Sequence, residues 1–196
     1  MDDIVRQAMA KWPNVPHCYG WLALDARGTW RMRDERAQAL GLVGDPIRNT
    51  ALTAFINRNY THDEQGRWYF QNGPQRVYVN LEATPYIAHT DPEHGFVLHT
   101  GEALRVIEAS WLTDTGQLLL QEGEKLALVD DRDMTQCLEM LRLHGEGAPD
   151  EAVMKWLEQP GDEEMRLAWK NGELPVAFIE REQLASRFGF VAQPAP

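Results

Sequence analysis

Along most of this chain, polar turn residues alternate with short apolar runs at a spacing that suits strands better than long helices. Four times an Asp, with a Gly two to four residues later, precedes an apolar or aromatic run. These are Asp25-Ala-Arg-Gly28 before Trp30, Asp63-Glu-Gln-Gly66 before Trp68-Tyr-Phe70, Asp91-Pro-Glu-His-Gly95 before Phe96-Val-Leu98, and Asp114-Thr-Gly116 before Leu118-Leu-Leu120. The chemistry is the same each time. The Asp carboxylate accepts hydrogen bonds from its own turn, Gly takes a positive φ, and the apolar residue starts the outgoing strand. Each signal predicts a β-hairpin. The stretch Phe96–Leu104 also returns in altered form as Leu118–Leu126, each running from strand to Gly turn to strand. Gln71-Asn-Gly-Pro74 followed by Val77-Tyr-Val79 is a weaker copy. Successive hairpins of this kind build an antiparallel meander.

Helical patterns punctuate the hairpins. The N-terminal segment places Ile4, Val5 and Met9 on one side of a short helix. Asp45-Pro46 has the form of an N-cap followed by Pro at the first helical position, with Ile47, Leu52, Phe55 and Ile56 at helical spacing up to Asn59. Asp130–Asp133 puts acids at the positive end of a helix that turns Met134, Cys137, Leu138 and Leu141 inward. After a hinge at Gly145–Pro149, Asp150 caps a helix carrying Val153, Trp156 and Leu157. Asn171-Gly172, between two apolar runs, is the preferred type I′ hairpin pair. Glu180–Phe188 reads as a helix ending at Gly189, with the Gln-Pro-Ala-Pro tail at 193–196 frayed. Strands and helices mix without a βαβ rhythm, so the fold class is α+β. The expected architecture is a run of antiparallel β-hairpins, a meander-like twisted sheet with a repeated motif, flanked by short helices. Its main domain spans 1–144, and a helix–hairpin–helix extension at 145–196 packs on it or continues it.

Composition adds limits. At 196 residues with 43% hydrophobic and 25% charged side chains, the chain has the balance of a globular protein with a sizeable core. No apolar run reaches the roughly 20 residues that span a bilayer. The acidic start MDDIVRQ is unlike a secretory signal, so a cytoplasmic location with Cys18 and Cys137 as reduced thiols is expected. The net charge of −11 argues against nucleic acid or an anionic membrane as partner. The charge is uneven. Residues 1–80 carry ten Lys/Arg and eight Asp/Glu, a net of +2, so residues 81–196 carry −13.

Three stretches carry a family resemblance: Pro16-His-Cys-Tyr-Gly-Trp21, Gly66-Arg-Trp-Tyr-Phe-Gln-Asn-Gly-Pro-Gln-Arg-Val-Tyr-Val79 and Val129-Asp-Asp-Arg-Asp133. With these the whole chain resembles a bacterial family catalogued only as a domain of unknown function. More distantly, Trp30, Trp68–Val79 and Thr84-Pro-Tyr86 resemble a second such bacterial family. That likeness implies repeated α+β motifs and a role in signalling. Neither resemblance supplies catalytic residues.

Catalytic motifs are scarce. There is no nucleophile elbow, no Walker loop and no dinucleotide fingerprint, so no cofactor is expected. His17 and Cys18 are adjacent and would point to opposite faces of a strand. His89, Asp91 and His99 are the one set with the residue types of a metal site, on two strands of a hairpin with His94 at its tip. The most suggestive polar set is basic. Arg31, Arg33, Arg48, Arg58, Arg67 and Arg76 all fall in the first half, near Trp68 and Tyr78. Guanidinium forks recognise carboxylates and phosphates. If Arg31, Arg33, Arg48, Arg58 and Arg76 converge near Trp68 or Tyr78, they line an anion-binding cleft; otherwise they are scattered surface groups paired with local acids. The leading functional expectation is thus a non-enzymatic module that binds a small anionic ligand in a regulatory or signalling role. The alternatives are self-association or partner binding through charge complementarity, and a metal-dependent hydrolase using the His89 region.

Overall fold

The computed structural model describes every residue of the chain except Asp162 and Asn171. Its contacts divide the chain into two units, Met1–Pro85 with Phe188–Pro196, and Tyr86–Arg187. The first unit contains α1 (Asp3–Lys11), β1 (Cys18–Leu24), β2 (Trp30–Met32), α2 (Glu35–Ala39), β3 (Asp45–Pro46), α3 (Thr50–Arg58), β4 (Tyr60–His62), β5 (Trp68–Asn72) and β6 (Gln75–Leu81). Its strands form one sheet in the order β3-β2-β1-β6-β5-β4. The second unit contains β7 (Tyr86–Asp91), β8 (Gly95–Leu98), β9 (Ala109–Thr113), β10 (Leu118–Glu122), β11 (Lys125–Val129), a 3₁₀ turn (Asp131–Asp133), α4 (Met134–Leu138), β12 (Leu141–Leu143), β13 (Glu146–Gly147), α5 (Asp150–Glu158), β14 (Met165–Trp169) and β15 (Gly172–Ile179). Its sheet runs β13-β12-β14-β15-β9-β10-β11-β7-β8. A last short helix, α6 (Leu184–Phe188), leads into the C-terminal segment. Among the described residues no helix is long and apolar enough to cross a membrane.

The fold is α+β, and the hairpins pair with their sequence neighbours as the turn chemistry predicts: β1 with β2, β4 with β5, β5 with β6, β7 with β8, β9 with β10, β10 with β11 and β14 with β15. Three junctions are parallel instead: β1 with β6, β7 with β11, and β9 with β15. They interrupt the simple meander, and the strands form two open sheets. Residue 145 lies in the turn between β12 and β13, and β12 pairs with both β13 and β14. Of the Asn171-Gly172 pair, Asn171 lies outside the described residues; the flanking strands pair with Trp169 opposite Gly172.

Several local expectations are corrected. Asp45-Pro46 is an edge bridge to β2, and α3 starts four residues later behind Asn49, whose side chain accepts the Leu52 N–H. Ile4 is exposed, leaving Val5 as the buried residue of α1. Leu141 is a strand residue, and Pro149 takes the N-cap position ahead of Asp150. The tail is docked. Phe190 is buried, Leu81 N donates to Ala192 O, and Val191 N donates to Gly66 O.

The repeat lies elsewhere than the local likeness of residues 96–104 and 118–126 implied. After β8 only an isolated bridge, Val97 to Ala103, forms in place of a second strand. The two units themselves repeat one design in matching register: a hairpin, a helix, a third strand, then a hairpin whose last strand returns parallel to the first. Leu24 pairs Trp30 and Leu81 as Leu112 pairs Leu118 and Phe178. Tyr60 pairs Phe70 as Leu141 pairs Leu167, and Asn72 pairs Gln75 as Trp169 pairs Gly172. The first turns match bond for bond. Asp25 N donates to Thr29 O and Gly28 N to Asp25 O; Thr113 N donates to Gln117 O and Gly116 N to Thr113 O. The Asp25 carboxylate and the Thr113 hydroxyl each accept the N–H four residues on. The units differ between β4 and β5. There the first unit turns in five residues, 63–67, and the second inserts β13 and α5.

Gly66 shows how tightly the tail closes the first unit. Its φ is +72°, and a Cβ placed there would lie 1.9 Å from Gly189 O. Gly123 shares a positive φ of +57° but has nothing within 4 Å of that point. Gly66→Ala is therefore expected to destabilise the protein by roughly 2 kcal/mol or more, and Gly123→Ala by about 1 kcal/mol, the cost of the left-handed backbone alone. Urea unfolding of both variants measures the difference; equal losses would remove the crowding argument.

Candidate functional site

The first sheet has two unlike faces because β-strand side chains alternate. On β6, Val77, Val79 and Leu81 share one face, and Arg76, Tyr78 and Asn80 share the other. The apolar face lies against α3. Phe55 meets Phe70 edge-on at 5.4 Å, Ile56 is buried, and Trp30 Nε1 donates to Asn57 Oδ1 at 2.7 Å. Trp68, alternating with Tyr69 on β5, is buried beside Tyr60 and His62. With that face filled, the polar and aromatic side chains collect on the opposite one.

There a tyrosine–guanidinium layer forms. Tyr69 is directly opposite Tyr78, and Arg76 opposite Gln71. Tyr19 stacks on Tyr78 with centroids 4.6 Å apart, and His17 meets the Tyr78 ring edge-on at 5.6 Å. Arg67 lies over the Tyr78 ring at 4.9 Å, and Arg76 over the Tyr69 ring at 4.7 Å. Such contacts hold a guanidinium flat and limit its rotamers.

The Asp63 turn fixes one of these two arginines. Asp63 Oδ1 accepts the N–H groups of Gln65 and Arg67, both at 3.0 Å. Oδ2 accepts Arg67 Nε at 2.8 Å and the Tyr78 hydroxyl at 2.9 Å. Burial by itself raises the Asp63 carboxyl, but the bonds from Arg67, Tyr78 and Gln65 outweigh it, and the group is held below the usual carboxylate range. The Tyr78 hydroxyl is pushed up by burial and by its bond to the Asp63 charge. His62, Asp63, Glu64, Gln65, Arg67, Tyr69 and Arg76 surround a cavity of about 410 Å3 open to solvent.

Of the seven predicted ligand-binding residues, Arg76 and Tyr78 belong to this layer, and Arg76 lines the cavity. Arg31 and Arg33 share a second cleft of about 250 Å3, but both are occupied: Arg31 Nε meets Asp25 Oδ2 at 2.8 Å, and Arg33 Nε donates to Leu42 O at 3.0 Å. Arg48 is exposed ahead of α3, and Arg58 pairs with Asp2 at 3.3 Å. Trp68 is on the apolar face. The expected single cleft is thus divided. Asp63, Glu64, Tyr69 and Tyr19 were absent from the predicted set. For Tyr69 the signal was present, since alternation on a hairpin ending at Asn72 and Gln75 puts it beside Tyr78.

The residues of the expected metal site go separate ways. His89 Nδ1 faces Asp130 Oδ2 at 3.3 Å and Asp133 Oδ2 at 3.6 Å. Asp91 Oδ1 accepts the N–H groups of Glu93 and His94 within its own turn, and His99 Nδ1 accepts the Ile87 N–H at 3.2 Å. Among the described residues no group of three or more His, Cys, Asp or Glu is placed to hold a metal ion. Neither thiol is activated as a nucleophile. Burial raises Cys18, and burial with the Asp133 charge pushes Cys137 up to about 12.

The chain belongs to the family described as "Protein of unknown function (DUF2946)", which matches residues 1–195. No curated protein sequence matches it. Among solved structures it is similar to a DUF1285 family protein from Silicibacter pomeroyi DSS-3, with a TM-score of 0.51 at 14% identity over 94% of this chain and 98% of that one. A DUF1285 family protein from Shewanella baltica OS155 matches with a TM-score of 0.41 at 11% identity, over 59% of this chain and 88% of that one. The expected membership of one family of unknown function and distant likeness to a second both hold, and the structural likeness is one of fold.

Asp130 is fully buried, and its N–H is bonded to Ala88 O. Burial would raise its carboxyl, but bonds from the Arg132 guanidinium and N–H override this and lower it to about 2. A carboxyl lowered on folding adds stability above its unfolded value, roughly 3.9, and that stability fades as pH falls through the folded one. The wild type is expected to lose stability between about pH 4 and pH 2. Asp130→Asn is expected to be less stable at pH 7 and flatter over that window. Denaturation midpoints across an acid series measure this; parallel curves would disprove it.

Proposed function

We propose that the chain is a non-catalytic binding module of a regulatory kind, and that its first unit holds a small anionic ligand in the cleft between the Asp63 turn and strands β5 and β6. The observation that supports this is the state of Arg76. Arg67 is neutralised by Asp63, with Nη2 and Oδ2 2.8 Å apart. Arg76 lies over the Tyr69 ring and interacts with the Tyr78 hydroxyl, yet among the described residues it has no carboxylate at ion-pair distance. A half-buried, pre-oriented guanidinium without a counter-ion binds an anion at little ordering cost.

The alternatives have less support. The first unit carries ten basic and nine acidic residues, a net of +1; the second carries nine and twenty-one, a net of −12. A nearly neutral unit offers no large positive excess for a charge-driven contact between copies. The His89 region offers a hydrolase no convergent ligand set.

Thermal denaturation with millimolar phosphate, acetate, succinate and citrate tests the reading. At least one anion is expected to raise the wild-type midpoint, because a ligand that binds only the folded state stabilises it. The rise is expected to shrink by more than half in Arg76→Gln. No rise with any anion, or an equal rise in the variant, would sink the proposal.

A further inference from the structure

The charges left unpaired in this cleft are of both signs, and the geometry points to a zwitterionic ligand of the amino-acid class, held once per chain. The inference rests on the anion-binding reading above and narrows it. Four ionic side chains line the cavity: Asp63, Glu64, Arg67 and Arg76. Asp63 and Arg67 neutralise each other, and the Tyr78 hydroxyl further occupies the Asp63 carboxylate. That leaves Arg76 and Glu64. Glu64 is exposed in the turn, and among the described residues no ion-pair partner meets it. A simple anion would satisfy Arg76 but bring a second negative charge near Glu64. A molecule with a carboxylate and an ammonium satisfies both. Tyr69 and His62 form the remaining walls, and the cavity of about 410 Å3 is of small-molecule size.

The second unit supplies an internal comparison, because its strands repeat the register of the first. In the positions of Arg67, Tyr69, Arg76 and Tyr78 it carries Glu164, Arg166, Glu173 and Pro175. Arg166 is ion-paired to both Glu164 and Glu173, so this counterpart is filled by its own side chains. The shared scaffold therefore folds without a tyrosine–guanidinium layer. Arg76, matched there by a glutamate, is not required by the shared scaffold, and it distinguishes this open site from its self-neutralised counterpart.

Titration calorimetry tests this with alanine, leucine, phenylalanine, glutamate and lysine, each beside the carboxylic acid lacking its α-amino group and the amine lacking its α-carboxylate. At least one amino acid is expected to bind at one per chain, about tenfold or more tighter than either truncated form, the usual weight of a charge-assisted bond. Arg76→Gln is expected to weaken the amino acid and the acid alike. Glu64→Gln is expected to weaken the amino acid to the level of the acid and leave the acid unchanged. Unaltered circular dichroism and melting of both variants would show that the fold persists. If the acid binds as tightly as the amino acid and Glu64→Gln has no effect, the zwitterion inference falls while anion binding stands. A stoichiometry of two, or binding lost in Arg166→Ala but kept in Arg76→Gln, overturns the single-site assignment. Failure of every acid and every amino acid to bind overturns the zwitterion inference, and the anion reading falls with it only if phosphate, succinate and citrate also leave the melting midpoint unmoved.

Discussion

Each unit depends on one long-range pairing, in which its last strand returns to lie parallel beside the strand that opens the repeated design, β1 in the first unit and β9 in the second. Parallel neighbours cannot be joined by a tight turn. The chain must leave β1, build a hairpin and a helix, and return some fifty residues later as β6, where Leu22, Ala23 and Leu24 meet Val79, Asn80 and Leu81. The same closure joins β9 to β15 in the second unit. In the first sheet α3 covers the apolar face, so Tyr69, Arg76 and Tyr78 have only the other face available. The face on which the candidate cleft lies thus follows from the closure.

The Asp turns carry the next level of organisation. Asp25 and Asp63 act alike: one carboxylate oxygen accepts two turn N–H groups, and the other holds an arginine that starts or enters the outgoing strand. A carboxylate used in this way neutralises its arginine, which removes Arg31 and Arg67 from the groups open to a ligand. In the second unit Thr113 takes over the role of Asp25 with its hydroxyl, and the Asp114 carboxylate accepts the Arg181 N–H instead. The turn geometry is common to both units, while the charge associated with it is particular to the first.

This division bears on function. The repeated scaffold keeps its hydrophobic register and turn bonds while inverting polar residues on one face, so the proposed site rests on residues in which the two units differ. Leu24, Val79 and Leu81 have apolar or small counterparts in Leu112, Val176 and Phe178; Arg76 is matched by a glutamate. The insertion carrying α5 enlarges the second unit at the point that corresponds to the five-residue turn 63–67 of the first, which borders the open cleft.

Local chemistry along the chain determined the hairpins, most of the helices and the α+β class, because turn propensity and side-chain alternation act over a few residues. It also placed Arg76 and Tyr78 on a common face. Tertiary structure alone decided the parallel junctions, the unit boundaries at 85 and 187, and the docking of Phe190 and Val191 on the first unit. Those contacts join segments about forty to more than one hundred residues apart, and no local pattern encodes their partners. The same distance explains the arginines. Whether a guanidinium is neutralised depends on which carboxylate the fold brings beside it, so Arg31, Arg58 and Arg67 looked equivalent to Arg76 until Asp25, Asp2 and Asp63 were in place.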